Sequence, residues 1–115
     1  MADVKRRLVL GAVVALALGA GPVLAQGLTG TYVAEGRNPD GSSYSGTVQM
    51  TQSAKAVSMA WQVGASSYIG TGVQEGRVLT INWGQATPVV YVLMPDGTLH
   101  GTWADGLALE KLTRQ

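Results

Sequence analysis

The stretch AVSMAWQV at residues 56–63 sets the pattern on which the rest of the chain is built. Val57, Met59 and Trp61 alternate there with small or polar side chains. Successive side chains of a β-strand point to opposite faces of its sheet, so this stretch predicts a strand with one buried face.

The same alternation recurs on both sides of this stretch, between turns rich in glycine. Asp40, Asp96 and Asp105 each precede a glycine, and we expect them to shape those turns. The pattern predicts eight short strands at residues 29–37, 42–51, 56–63, 66–73, 77–83, 88–94, 98–104 and 107–113.

The connections between these predicted strands are tight, which favours sequential antiparallel pairing. We therefore predict an all-β fold, a small antiparallel up-and-down meander that closes into a barrel and so removes its unpaired edges. A half-open, strongly bent sheet is the alternative. Residues 88–94 are apolar almost throughout, so we expect this strand to be covered on both faces.

The first 25 residues have the organisation of a secretory signal peptide. A basic start at residues 5–7 leads into an apolar run at 8–20, and small or modest side chains precede the predicted cleavage after Ala25. A membrane-spanning helix is the alternative, but it needs about 20 apolar residues and this run is shorter. We expect a signal-peptide helix at 1–25, a single barrel domain at 26–115, and a periplasmic or secreted location.

Charge and cysteine content exclude several classes of function. Without Lys5, Arg6, Arg7 and Asp3, five basic and six acidic side chains remain, so the predicted mature domain is close to neutral. It lacks the basic surface of a nucleic-acid-binding protein or of one that binds anionic membranes. The chain has no cysteine, so its stability cannot depend on disulfides.

Few residues have the chemistry of catalysis. His100 is the only histidine, and its alternation with Leu99 predicts that it faces away from the core. Glu35 and Glu110 lie in the first and last predicted strands, which are neighbours in a closed barrel, so the two carboxylates could form an acid–base pair. Solvated strand faces explain both residues equally well. We expect no enzymatic activity, no metal site and no cofactor.

The aromatic residues are the better candidates for binding. The chain has four tyrosines and three tryptophans but no phenylalanine, which indicates a pocket that offers hydrogen bonds as well as apolar contact. The candidate binding residues are Tyr44, Trp61, Tyr68, Trp83, Tyr91 and Trp103. The alternative is that these side chains simply fill the barrel and its ends.

Several motifs along the predicted domain resemble those of a family of small exported proteobacterial proteins. They are Asn38-Pro39-Asp40-Gly41, Tyr44-Ser45-Gly46, Trp61-Gln62-Val63-Gly64, Tyr68-Ile69-Gly70-Thr71-Gly72, Pro88-Val89-Val90-Tyr91, Asp96-Gly97-Thr98-Leu99, Gly101-Thr102-Trp103-Ala104 and Glu110-Lys111-Leu112. Most members of that family are uncharacterised, and some carry the name fibronectin-binding protein. The segment LTGTY at residues 28–32 also looks like the opening of an avidin-type barrel.

These observations predict an exported, non-enzymatic binding domain whose partner is a protein. The resemblance implies a matrix protein such as fibronectin, and a periplasmic hydrolase is a second possibility. A small apolar ligand held in the barrel is the alternative function, and an enzyme is the third. An eight-stranded barrel leaves an interior that side chains fill or that holds one small molecule, and we expect Trp61, Trp83 and Trp103 to fill it further.

Overall fold

The computed structural model describes residues 27–115, and the predicted signal peptide lies outside the described residues. The strands are β1 Gly30–Arg37, β2 Ser43–Ser53, β3 Ala56–Val63, β4 Ser66–Glu75, β5 Val78–Asn82, β6 Val89–Leu93, β7 Leu99–Trp103 and β8 Ala108–Arg114. Each strand pairs antiparallel with the next, and β8 pairs with β1. The predicted eight-stranded closed barrel is therefore confirmed, and the half-open sheet is not adopted.

Alternation along each strand places one set of side chains inside the barrel. Val57, Met59 and Trp61 of β3 are buried, whereas Ser58 and Ala60 between them are exposed. The same parity holds around the barrel, and the buried apolar core comprises Leu28, Tyr32, Ala34, Val48, Met50, Val57, Met59, Trp61, Leu79, Ile81, Val89, Tyr91, Leu99, Ala108 and Leu112. Burying a large apolar side chain contributes about 1.5–3 kcal/mol, so this interior is the main source of stability.

Two of the predicted turns are held by their aspartates. Asp40 Oδ1 accepts a hydrogen bond from the backbone N–H of Ser42 at 2.9 Å, and Asp96 Oδ1 accepts one from the backbone N–H of Thr98 at 3.0 Å. Hydrogen bonds from the hydroxyls of Ser42 and Thr98 to the same oxygens, followed by these backbone bonds, lower the pKa of both carboxyl groups. The turn-forming role predicted for these two aspartates is confirmed.

The outer face of β6 differs from the prediction. Val89 and Tyr91 are buried, but Val92 is 37% exposed, so the strand is not covered on both faces. The reason is that a barrel has a single wall, and nothing in residues 27–115 packs outside β6.

None of the described elements is a helix long and apolar enough to cross a bilayer.

The two ends of the barrel are built differently. At one end, β1, β3, β5 and β7 finish and even-numbered strands begin; we call this end, with its connections at residues 38–42, 64–65, 83–88 and 104–107, the mouth. At the opposite end Leu28, only 2% exposed, packs against the core just before β1. We call that end the closed end.

Arg114 fastens the segment before β1 over the closed end. Its guanidinium donates hydrogen bonds to the carbonyl oxygens of Gly27 and, at 2.8 Å, of Thr29. The same group lies 5.0 Å from the centre of the Tyr32 ring, an arrangement that allows a cation–π interaction. Tyr32 in turn donates from its hydroxyl to the carbonyl of Leu28 at 2.8 Å, so one cluster connects the start of the described chain to its last strand.

Replacing Arg114 with alanine removes both hydrogen bonds and the contact with Tyr32. We expect the free energy of unfolding to fall by about 1–2 kcal/mol, because bonds from a charged donor are among the stronger ones but this donor is exposed. Urea denaturation of the purified protein measures the change. Lys111→Ala, on the exposed outer face of the same strand, is the control, with an expected change within about 0.5 kcal/mol. Equal losses in the two variants would contradict the fastening role.

Candidate functional site

Glu110 is the one charged residue among the buried side chains of the described chain, at 6% exposed. It lies in β8 between Ala108 and Leu112 on the inward-facing set of positions. Its cross-strand neighbours are Gly36 on β1 and Gly101 on β7. A carboxylate therefore enters the barrel between two positions that carry no side chain.

The two glycines make room for two tyrosine rings. Tyr44 of β2 is opposite Gly36, and Tyr91 of β6 is opposite Gly101. A Cβ atom at either glycine would overlap the ring of its tyrosine partner, so alanine at these positions would displace the ring. Five residues in register on five consecutive strands thus form a row, Tyr44, Gly36, Glu110, Gly101 and Tyr91, which we call the Glu110 row.

This row brings both tyrosine hydroxyls to the carboxylate. Tyr44 donates to Oε1 of Glu110 at 2.8 Å, and Tyr91 donates to Oε2. The indole N–H of Trp61 reaches Oε2 at 3.1 Å from across the barrel, and the indole of Trp103 donates to the Tyr44 hydroxyl at 3.0 Å. Both carboxylate oxygens are thus satisfied by neutral donors, as a buried carboxylate requires.

The hydroxyl groups of both tyrosines in this network have raised pKa values. Burial and the negative charge of Glu110 raise the pKa of Tyr91 well above its ordinary value. The same two causes, in the same order, raise the pKa of Tyr44. Both hydroxyls therefore act as hydrogen-bond donors at any pH near neutrality.

Above this network the mouth opens into a cavity of about 420 Å³. We call this cavity the aromatic cup; its lining residues are Asn38, Tyr44, Trp61, Val63, Tyr68, Trp83, Gln85, Val89, Trp103 and Glu110. Of the six candidate binding residues, five line the cup and the sixth, Tyr91, lies buried beneath it in contact with Glu110. The structure therefore brings all six together at one end of the barrel.

The rings of the cup are fixed against one another. Trp83 is central, with ring centroids 5.7 Å from Trp103, 6.0 Å from Tyr68 and 6.5 Å from Trp61. The ring planes meet at 55–82°, the edge-to-face or tilted arrangement that aromatic pairs favour. The indole N–H of Trp83 also donates to the carbonyl of Thr87, which holds the connection between β5 and β6 at the rim.

Two expectations from the sequence are changed by this geometry, and a third is confirmed. Glu35 is exposed on the outer face opposite Lys111, so it forms no acid–base pair with the buried Glu110, although β1 and β8 are neighbours as predicted. The three tryptophans line the cup and leave it open instead of filling the interior. His100 is exposed on the outer wall, which is the orientation that the alternation predicts.

Glu110 is the site residue that the sequence reasoning did not include among the binding candidates. The signal for it was present, because Glu110 alternates with Ala108 and Leu112 and so belongs to the inward set of β8. Asn38 and Gln85 carried no comparable signal, since both lie in connections between strands.

A second depression, of about 670 Å³, lies on the outer wall over β1, β2, β7 and β8. Its rim carries Glu35, Arg37, His100 and Lys111, all of which point to solvent. Because the cup is lined by packed aromatic rings and the outer depression by exposed charged side chains, the cup is the better-formed site.

No protein-family model and no curated protein matches this chain. Among solved structures it is similar to a redesigned β-barrel, with a TM-score of 0.56 and 19% identity over 76% of this chain and 91% of that one. A likeness at this identity supports the barrel fold and nothing further. The resemblance to exported proteobacterial proteins stays a prediction.

Tyr91→Phe removes one donor from the buried carboxylate. We expect the free energy of unfolding to fall by about 1–3 kcal/mol, because a buried charged acceptor loses one of its hydrogen bonds. Urea denaturation measures the loss. Tyr68→Phe, at the 43% exposed rim position, is the matched control and should change stability by less than about 0.5 kcal/mol. If both variants were equally stable, Glu110 would not depend on the Tyr91 hydroxyl.

Alkaline pH should destabilise the barrel through its tyrosines. The pKa values of Tyr32, Tyr44 and Tyr91 are raised in the folded state, whereas the unfolded chain releases these protons near the ordinary value of 10.0. The folded state thus binds more protons above that pH, so the free energy of unfolding is at its full value below about pH 10 and falls as the pH rises further. Urea titrations at about pH 9 and about pH 11 measure the fall, which should be smaller in Tyr91→Phe. A stability that is constant across this window would contradict the raised values.

Proposed function

We propose that this chain is a non-enzymatic binding domain that holds one small molecule in the aromatic cup, in the periplasm or outside the cell. The observation that supports it best is an open cavity of about 420 Å³ with aromatic walls and a polar floor. Small-molecule sites in proteins are concave, mostly apolar and about 300–1,000 Å³ in volume, with a few polar groups that orient the ligand.

The cup is arranged before any ligand enters. Trp61 and Trp103 are held by hydrogen bonds within the Glu110 network, and Trp83 is held by its bond to Thr87. Side chains that are already ordered lose little further entropy on binding. The rigidity of these indoles therefore favours a tight complex with a flat or compact apolar ligand.

The positions of the ionisable groups support binding over catalysis. His100 is on the outer wall and Glu110 on the inner one, so they do not face a common ligand. Glu110 already accepts three hydrogen bonds on its two oxygens. A carboxylate so engaged is suited to orient a ligand and poorly placed to exchange protons with one.

A protein partner is the second candidate function. Leu107, at 72% exposed, lies in the mouth connection before β8, and Leu109, at 53%, follows it on the outer face. Large exposed apolar side chains that lie together are typical of interaction surfaces. The matrix-protein and hydrolase partners that the sequence suggests remain predictions.

Native mass spectrometry of the protein purified from its own host tests the small-molecule proposal. We expect an additional small mass that is lost on denaturation. Tyr68→Ala should lose that mass, because the Tyr68 ring forms part of the rim, and Val92→Ala on the outer wall should keep it. A bound mass retained by Tyr68→Ala but lost by Val92→Ala would place the ligand elsewhere. A clean mass in every case, with tryptophan fluorescence that no small apolar compound alters, would favour the protein partner.

A further inference from the structure

The electrostatics of the aromatic cup select the charge of its ligand, provided that the proposed small-molecule function holds. Glu110 supplies a carboxylate at the floor of the cup. It is the only lining residue of the aspartate, glutamate, lysine, arginine or histidine type. Within residues 27–115, no lysine, arginine or histidine nitrogen lies within 4.0 Å of it; the ion pair in that region joins Lys55 and Glu75 on the outside. All three groups that donate to the carboxylate are neutral.

The negative charge of Glu110 acts over a long distance because little water screens it at the floor of the cup. Water is largely excluded from the floor of the cup, since Glu110 is 6% exposed and Tyr91 is fully buried. Electrostatic interactions are several times stronger at such a site than in bulk water. The potential of Glu110 therefore extends into the cup without direct contact with a ligand.

The aromatic walls of the cup, like the carboxylate at its floor, favour a positively charged ligand. Aromatic rings carry negative potential on their faces, and a cation within about 6 Å of a ring centroid is attracted to the ring, more strongly when it is desolvated. Tyr44, Trp61, Tyr68, Trp83 and Trp103 line the cavity, and the planes of neighbouring rings are steeply inclined to one another. A negative floor and negative ring faces together favour a positive ligand and disfavour an anionic one.

A metal ion does not fit this site as well as an organic cation. Residues 27–115 contain no group of three or more histidine, cysteine, aspartate or glutamate side chains that could hold a metal. Divalent cations require several oxygen or nitrogen ligands, and the cup offers one carboxylate whose oxygens already accept hydrogen bonds. An ammonium group with apolar substituents needs no such ligand set, because ring faces replace its hydration shell.

We propose that the ligand of the aromatic cup is a small organic cation with a substituted ammonium group, held by the inclined aromatic rings above the uncompensated carboxylate of Glu110. The ammonium lies among the ring faces, and its positive charge offsets the buried negative charge. The ligand is a free small molecule, because a concave cup of about 420 Å³ is suited to a whole compound of that size.

A pair of probes of nearly equal shape tests the charge preference. Choline carries a trimethylammonium group, and 3,3-dimethyl-1-butanol has the same outline with carbon in place of the charged nitrogen. Titration calorimetry and tryptophan fluorescence of the purified protein should give an affinity for choline about tenfold or more above that for the alcohol, which corresponds to about 1.4 kcal/mol.

Two sets of variants identify the source of the preference. Glu110→Gln keeps the size of the side chain and removes its charge, so it should reduce the choline preference to less than about threefold. Tyr68→Leu removes a ring at the rim, where the side chain is 43% exposed. It should weaken choline binding about fivefold. Tyr68→Phe keeps the ring, so it should weaken choline binding less than Tyr68→Leu does. The Tyr68 variants keep the test decisive if Glu110→Gln does not fold.

The outcomes separate this inference from the function on which it rests. Equal affinities for the two probes, both reduced by Tyr68→Leu, would overturn the charge preference and leave the cup as a binding site for neutral molecules. If neither probe bound while a neutral molecule co-purified, the cation would likewise be excluded. Binding to phosphatidylcholine vesicles without binding of choline would place the ammonium on a lipid and overturn the free-molecule ligand. Failure of the proposed function itself would appear as the absence of any bound mass and of any fluorescence response.

Discussion

The buried carboxylate of Glu110 is the constraint on which the mouth of this barrel depends. A charged group inside a small domain is costly unless every oxygen is satisfied, and here the donors come from β2, β3 and β6 as well as through Trp103 of β7. Each donor is an aromatic side chain whose ring must then take one orientation. The same hydrogen bonds that satisfy Glu110 therefore fix the walls of the cup. A neutral apolar residue at this position would release the rings to collapse into the space they now enclose.

The two glycines beside Glu110 show how the backbone serves this arrangement. In a closed barrel of eight strands the interior is narrow, and full side chains at Gly36 and Gly101 would occupy the space through which Tyr44 and Tyr91 reach the carboxylate. The absent side chains allow the rings to lie across neighbouring strands. Glycines within strands usually weaken them, and here the tyrosine rings cover the exposed backbone.

Much of the fold could be predicted from the sequence, because period-2 alternation fixes which side chains face inward and the tight turns leave few topologies. The six aromatic candidates follow from residue type. The alternation of side chains along each strand then places them on the inner face of the barrel. The acid–base pair of Glu35 and Glu110 does not form, because adjacency of strands is not adjacency of side chains: Glu35 is opposite Lys111, one position away from Glu110. Glu35 lies on a solvated strand face, the alternative that the sequence left open, whereas Glu110 is buried on the other face of the wall. The open cup could not be predicted, since it depends on ring orientations that only the three-dimensional hydrogen bonds determine.

The fastening of the closed end by Arg114 has a consequence for how this domain meets its surroundings. Gly27 and Gln115 both lie at that end, and the backbone N–H of Gln115 donates to the carbonyl of Thr31 in β1. The described chain therefore both enters and leaves the barrel at the pole opposite the cup. The connections at 38–42, 64–65, 83–88 and 104–107 surround the opening of the cup at the other pole. If the protein were immobilised through Gln115, the opening of the cup would face away from the support and toward the solvent.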